Sequence, residues 1–365
     1  RLSLVLLLVS GLFLLLFRFL ARSWMRAGVI TSLSVVLFSS YGHVYNVLHG
    51  KSLFGFPIGQ ANYIAAAWAS LWIVLSWLAW RKLTDPAGIN RILNVISILL
   101  VCMPLASLGI FWGKPAAASG IDPAADPPAA GLSGAGRLPD IYYIILDEYG
   151  RSDMLDQTLG FDNAAFVDDL RGLGFTVADQ SYANYGITLH SMSSSLNFRY
   201  LNDSVTSKPE DEPANTHLLL EMIHHNRARE ILEENGYTFV TFATGYPFSE
   251  IQDADVYLAP ENYLNGIEME YIKGSALAIF SDAINAQRER ALILNAFNRL
   301  SAMPEFEPGT PKFILAHIQS NHVPFVFGPN GEAVAPWAWP AGADQGQAKS
   351  YAQAYSDQAA YMNRL

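Results

Sequence analysis

The chain has 365 residues, 51% of them hydrophobic and 15% charged, with a formal net charge of −10 and one cysteine, Cys102. That length holds a membrane part and one sizeable domain, and a single cysteine in an apolar run excludes a disulfide framework and a cysteine zinc site. Only Asp85, Asp122 and Asp126 of the 33 acids, but 10 of the 23 basic residues, precede residue 140, so the rest carries a formal charge of −17, which argues against nucleic acid as a partner.

Four apolar stretches come first: Leu2–Phe17, Ala27–Leu48, Ala61–Trp80 and Ile92–Trp112. Each is near the ~20 residues that cross a bilayer as a helix. One cleaved signal peptide does not explain four. They define a membrane domain over 1–113, with the bilayer as partner. Arg18, Arg22 and Arg26 lie in the first loop and Arg81, Lys82 and Arg91 in the third, against Lys51 alone in the second. The excess of Lys and Arg places loops one and three in the cytoplasm and everything after the fourth span outside. Trp68, Trp72, Trp77, Trp80 and Trp112 suit interfacial aromatics. His43 and Asn46, inside the second span, are expected to make polar contacts between helices.

Residues 114–138 are rich in Pro, Ala and Gly and read as a flexible linker. The remainder, 139–365, alternates strand and helix patterns. Ile141–Leu146 reads as a buried strand ending on Asp147 and Glu148. Asn163–Leu173 is predicted helical, with Gly174 as C-cap. Phe175–Ala178 is expected as a strand, Thr188–Tyr200 as a helix, and Asn202–Thr216 as an exposed loop. Leu218–Glu234 is predicted as one helix stopping at Gly236. Tyr237–Ala243 follows as a strand, Ala276–Leu300 as largely helical, and Lys312–Ile318 as a strand whose following loop holds His322. The alternation implies an α/β domain, a mostly parallel sheet with helices on both faces. The chain starts at Arg1 beside an apolar run and stops in a polar, helix-like segment. It reads as a fragment at both ends.

The chemistry-bearing residues sit at predicted strand and helix ends. Carboxyl ends of strands are where open α/β sheets bind ligands. Asp147 there offers a hard carboxylate for zinc, manganese or magnesium, and Glu148 is the alternative. Adjacent strand side chains point opposite ways, so one of the two acids is expected to face the site. Thr188 opens a predicted helix, where free N–H groups attract anions; an N-cap role suits it equally. An acid for a metal and a hydroxyl at a helix start suggest a metal-activated nucleophile acting on a phosphate-like ester. Ser191, one turn on, is the fallback hydroxyl. His224 and His225 lie on a polar helical stretch and read as solvated surface.

Taken in order, several pieces resemble the sulfatase-like domain of the alkaline phosphatase superfamily. They are Pro139–Asp147, Gly160-Phe161-Asp162-Asn163 with Phe166, Gly174-Phe175, Asn184-Tyr185 with Thr188 and Ser191, and His317 with His322-Val323-Pro324-Phe325. The style is closest to the membrane-anchored bacterial branch that includes lipoteichoic acid synthases and phosphoethanolamine transferases. The resemblance implies an alkaline phosphatase-like fold, a divalent metal held by Asp147 or Glu148 together with Thr188, and a covalent phospho-threonine step on Thr188. It implies that His322 contacts the substrate's anionic group or leaving oxygen, with His317 sharing the site or supporting it from the core, and Asn184 beside the substrate. The substrate class implied is a phosphoester of an envelope lipid or glycan. The place implied is a bacterial cytoplasmic membrane, with the C-terminal domain periplasmic.

Two departures matter. Ser191 is followed by Met192 and Ser193, so the Cys/Ser-x-Pro-x-Arg setting of classical sulfatases is absent. Sulfate-ester hydrolysis is therefore the rival within enzymes. No Asp-His pair, which the family uses to complete its metal site, occurs between residues 140 and 365. The expectation is that the C-terminal part is truncated and that the 365-residue chain binds metal weakly and turns nothing over. The other possibility is a non-catalytic, membrane-tethered scaffold.

Overall fold

The computed structural model describes residues 2–52, 54, 56–113, 138–201, 212–337 and 345–365. These fall into two units. One holds the apolar helices together with Ile267–Asp282, and the other holds the described residues of 138–266 and 283–365. The expected linker, apart from Leu138, lies outside the described residues.

Long uncharged runs fold as helices because a helix satisfies its own backbone polar groups, which lipid cannot do. The four are α1 (Leu2–Ala21), α2 (Trp24–Leu48), α3 (Ala61–Arg81) and α4 (Pro86–Gly113). All four are long and apolar enough to cross a membrane. The helices run past the expected limits, so Arg18, Arg26, Arg81 and Arg91 sit on helix ends rather than in loops. α2 packs against each of the other three. Trp68 and Trp72, expected at the interface, instead donate their indole N–H groups to Leu37 O and Ser34 Oγ on α2, both at 2.9 Å. A mid-helix indole among apolar side chains needs an acceptor, and α2 supplies it. His43 and Asn46 are exposed on α2.

The second unit is built on a sheet of β1 (Ile141–Leu146), β2 (Thr238–Phe242), β3 (Val256–Leu258) and β4 (Lys312–Ile318). Their order is β1-β4-β2-β3, and each pairing is parallel. Parallel strands need long crossovers. Between β1 and β2 run α5 (Ser152–Leu159), α6 (Ala164–Gly172), α7 (Thr188–Ser195), α8 (Glu212–His224) and α9 (Arg227–Glu234). Between β3 and β4 come α10 (Gly266–Gly274), a 3₁₀ turn (Ala276–Phe280) and α11 (Ser281–Ala302). A hairpin of β5 (Phe325–Phe327) and β6 (Ala333–Trp337) and the helix α12 (Gln345–Met362) follow β4.

Side chains alternate across a strand, and both faces of the sheet are covered. Val240, Phe242, Ile314, Ala316 and Ile318 form one core with Ala286, Ile293 and Ala296 of α11. On the opposite face Phe239 stacks on Phe313, and the Arg229 guanidinium of α9 lies 4.9 Å from the Phe239 ring. Lys312 is buried at the start of β4, where its ammonium meets Asp140 at 2.7 Å and the Phe306 carbonyl at 2.9 Å.

The structure corrects several expectations. Among the described residues β1 is an edge strand, paired only with β4, and Tyr142, Tyr143 and Ile144 are 40%, 37% and 46% exposed. Within the four-stranded sheet the strand buried along its whole length is β4. Among the described residues Phe175–Ala178 pairs with no strand, and Phe175 is exposed. The single helix over 218–234 is two, because Asn226 starts a new one: its side chain accepts from Arg229 N at 2.8 Å and donates to Ile223 O. The helix from Thr188 stops at Ser195, five residues early, and Phe198 adopts φ +55°. Glu212–Thr216, expected in a loop, is helical.

Candidate active site

Parallel pairing places the carboxyl ends of β1, β4 and β2 at one end of the sheet, and the residues that follow them gather there. The ladder continues one step beyond β1, since Asp147 N donates to Ile318 O at 2.8 Å. Ser320 Oγ and Asn321 N return to Asp147 O at 3.3 and 3.2 Å. The Asp147 backbone is thus fixed by the loop after β4.

Thr188 reaches this point from a segment 41 residues away. Ile187 is the N-cap of α7 and Thr188 is its first helical residue, so the threonine side chain does not cap the helix. Its Oγ1 donates instead to Asp147 Oδ1 at 3.4 Å. His317 comes from within β4 and is 2% exposed. Its Nε2 lies 3.6 Å from Asp147 Oδ2, too long for a hydrogen bond.

The other ring nitrogen of His317 fixes its role. Nδ1 is 2.7 Å from Ser249 Oγ. Ser249 Oγ also lies 3.2 Å from Thr244 Oγ1. Thr244 Oγ1 in turn donates to Glu250 Oε2 at 3.0 Å. The Ser249 hydroxyl meets Nδ1 as donor or as acceptor according to the imidazole tautomer, and in either case it fixes the orientation of the ring. His317 Nε2 is buried, faces Asp147 and has no hydrogen-bond partner within bonding distance. A proton on Nε2 or a cation between Nε2 and the Asp147 carboxylate satisfies both atoms.

Glu148 makes a separate pair. It sits in a turn with φ +57°, an uncommon conformation for a residue with a side chain. Its carboxylate lies 3.5 Å from His322 Nε2. His322 Nδ1 donates to Val323 O at 2.7 Å, because only an N–H can meet a carbonyl. The two acids therefore serve two pairs, Asp147 with Thr188 and His317, and Glu148 with His322.

Their protonation differs in direction. Burial pushes the Asp147 carboxyl up, but the imidazole of His317, the charge of His322 and the Thr188 hydroxyl outweigh it and hold Asp147 below its ordinary value. Burial pushes Glu148 up, and Asp147 adds to this while His322 opposes it; the net shift is upward. A base works best with a pKa near the operating pH. Asp147 is thus suited to stay charged, and Glu148 is the better carrier of a proton.

Asn184 is engaged locally: Ser191 Oγ donates to its Oδ1 at 2.5 Å, and its amide reaches Ser191 O at 3.4 Å. It braces the loop before α7 to that helix, and Ser191 is occupied by the same bond. His224, expected on the surface, has a buried Nε2 without a hydrogen-bond partner, and burial lowers its pKa.

Sequence reasoning missed the supports. Ser249 and Glu250 follow β2 at the sheet's carboxyl end, a position that could have marked them. Glu250 also accepts from Thr244 N, Gly245 N and the Tyr257 hydroxyl, which folds the loop that carries Ser249. α12 is the second support. Tyr355 OH donates to Glu148 O at 2.7 Å and accepts from Gly150 N at 3.1 Å. Gln358 donates to Ser320 O at 2.7 Å. The spacing of Tyr351, Tyr355, Gln358 and Ala359 along one helical face was the available signal.

Imidazole nitrogen, carboxylate and hydroxyl suit zinc or manganese, and the unpartnered Nε2 of His317 beside Asp147 fits the edge of such a site. Among the described residues, no group of three or more His, Cys, Asp or Glu is placed to hold a metal ion. No family model, curated protein or solved structure matches the chain.

Proposed function

We propose that the protein is a membrane-bound hydrolase or transferase of phosphoesters, with an alkaline phosphatase-like catalytic domain and Thr188 as nucleophile. The observation that carries this reading is the Thr188 Oγ1–Asp147 Oδ1 hydrogen bond, 3.4 Å long, at the carboxyl end of a parallel sheet. It joins a hydroxyl to an acid whose pKa is held below its ordinary value. Asp147, Thr188 and His317 would hold a divalent metal, zinc, manganese or magnesium, which when bound lowers the pKa of a coordinated hydroxyl. Asp147 orients the Thr188 hydroxyl. Ser249 holds the His317 ring at Nδ1, with Nε2 turned toward Asp147. The α7 N-terminus presents free N–H groups to an anionic ester. The Glu148–His322 pair handles the proton of the leaving group, since Glu148 is the acid whose pKa is raised.

The cationic residues around the first and third connections, Arg18, Arg22, Arg26, Arg81, Lys82 and Arg91, support a periplasmic catalytic domain and therefore an envelope lipid or glycan as substrate. One observation favours a second reading, a non-catalytic tethered domain: the absence of a three-ligand group among the described residues. The test is turnover of a chromogenic phosphodiester, beside a sulfate ester, by membranes expressing the complete reading frame with added manganese or zinc. Phosphodiester cleavage that Thr188→Ala abolishes supports the proposal. Faster sulfate release supports a sulfatase, and no turnover of either supports the tethered domain.

A further inference from the structure

The segment Ile267–Asp282 lies between β3 and β4 in sequence, yet it packs with the apolar helices. Its seat is a backbone contact. A Cβ on Gly42 of α2 would fall 2.0 Å from Lys273 O and 2.5 Å from Gly274 C, so only glycine admits this approach. Ser39 Oγ and Tyr271 OH hydrogen-bond at 3.2 Å beside it. Next to it, Ala278 of the 3₁₀ turn closes a buried cluster with Tyr41 of α2 and Ile64 of α3, flanked by Trp68.

The depth of this cluster can be read from the helices. Tyr41 lies seven residues before the end of α2 at Leu48, and Ile64 three residues into α3, which starts at Ala61. At 1.5 Å per residue these are about 10 Å and about 5 Å inside the helix ends. Interfacial segments bury their apolar faces to about 5–10 Å below the headgroup boundary.

The segment is patterned for that depth. Its charged residues are Glu268, Glu270 and Lys273 on α10, with Lys273 paired to Glu270 at 2.9 Å, and Asp282, two residues after the turn. Ala276–Phe280 carries no charge, and Leu277, Ile279 and Phe280 are 37%, 41% and 55% exposed. The turn also closes its own backbone bonds. Ser275 is fully buried, accepts Leu277 N on its hydroxyl at 3.2 Å, and takes Ala278 N on its carbonyl at 3.0 Å. A turn that enters lipid must meet this condition.

We propose that Ala276–Phe280 inserts into the bilayer leaflet that surrounds the C-terminal end of α2 and the N-terminal end of α3, with the Lys273–Gly274 end of α10 seated against the same stretch of α2. The chain therefore returns to the membrane once after its fourth span. The occupant of the exposed Leu277, Ile279 and Phe280 surface is lipid, because that surface is continuous with helices that themselves face lipid. The inference rests on reading α1–α4 as membrane spans.

Cys102 is the only cysteine, so Cys102→Ser gives a cysteine-free background. In that background, Phe280→Cys and Ile279→Cys are each spin-labelled in the full chain. The protein is reconstituted in phosphatidylethanolamine–phosphatidylglycerol vesicles, and accessibility to oxygen and to a neutral nickel chelate is measured. Leu99→Cys on α4 serves as the lipid reference and Leu173→Cys as the aqueous one; these positions are 55% and 77% exposed. The 279 and 280 labels are expected to match the Leu99 label, with an oxygen-to-nickel ratio several-fold above that of Leu173. Gly42→Leu is expected to move both toward the Leu173 value. Labels at 279 and 280 that match Leu173 overturn the proposal, as do labels shielded from both reagents, which would mean a protein cover. If the Leu99 label is itself open to nickel, the membrane-span reading fails and the proposal fails with it.

Discussion

Ser249→Ala is the most informative single change. In the wild type, Ser249 Oγ meets Nδ1 of His317 at 2.7 Å, and the two residues are 4% and 2% exposed. Alanine leaves that nitrogen buried without a partner. A buried donor or acceptor left unpaired costs roughly 1–3 kcal/mol. Thr244 loses only a 3.2 Å contact and keeps Tyr246 N and Glu250 as partners, so it adds little. The expected loss is about 2 kcal/mol, which for a domain of this size lowers Tm by about 4–8 °C. The assay is thermal unfolding in detergent, repeated in a His317→Leu background. There no imidazole nitrogen is left to orphan, and Ser249→Ala is expected to cost less than about 0.5 kcal/mol. Equal costs in the two backgrounds would refute the reasoning, because the serine would then act on something other than the imidazole.

Gln358→Leu removes an amide that accepts from Val326 N and Phe327 N and donates to Ser320 O while fully buried. Three stranded backbone groups should cost about 3 kcal/mol or more, read from urea unfolding. The two acids should give opposite pH signatures in Tm. The depressed pKa of Asp147 contributes stability that is present above its ordinary value of 3.8 and lost as pH falls below it, so Asp147→Asn should flatten the acid limb there. The raised pKa of Glu148 imposes a cost that grows as pH rises above 4.5, so Glu148→Gln should gain on the wild type at neutral pH relative to pH 4. A reporter active only in the periplasm, fused after Gly136, should be active, and an active cytoplasmic reporter at the same place would reverse the assigned orientation.

The parts of the fold visible in the sequence were those with strong local patterns. The four helices, β1, β2 and β4 carry long apolar runs, and β4 matched its expected limits residue for residue. The single-residue devices were less visible. Asn226 caps a helix start in the middle of a helical pattern, and Phe175–Ala178 has strand-like residues but no partner strand. The pairing of Asp147 with Thr188 was legible because both stand at element ends. The part played by His317 was not, since a histidine inside an apolar strand reads as core until Ser249, 68 residues away, is seen to hold its Nδ1. The return of Ile267–Phe280 to the membrane helices was hidden too. Its signal is shape, the fit of Gly42 against the Lys273–Gly274 backbone, and not periodicity.

The central claim is that Thr188 is the nucleophile. The direct measurement is mass spectrometry of the peptide containing Thr188 after membranes expressing the complete reading frame are mixed with a phosphodiester and manganese or zinc and quenched in acid. The account predicts a phosphoryl group on Thr188, absent from Thr188→Ala, whose turnover falls by about 10³-fold or more. Sustained turnover by Thr188→Ala, with no phosphoryl group on Thr188 in the wild type, would contradict it.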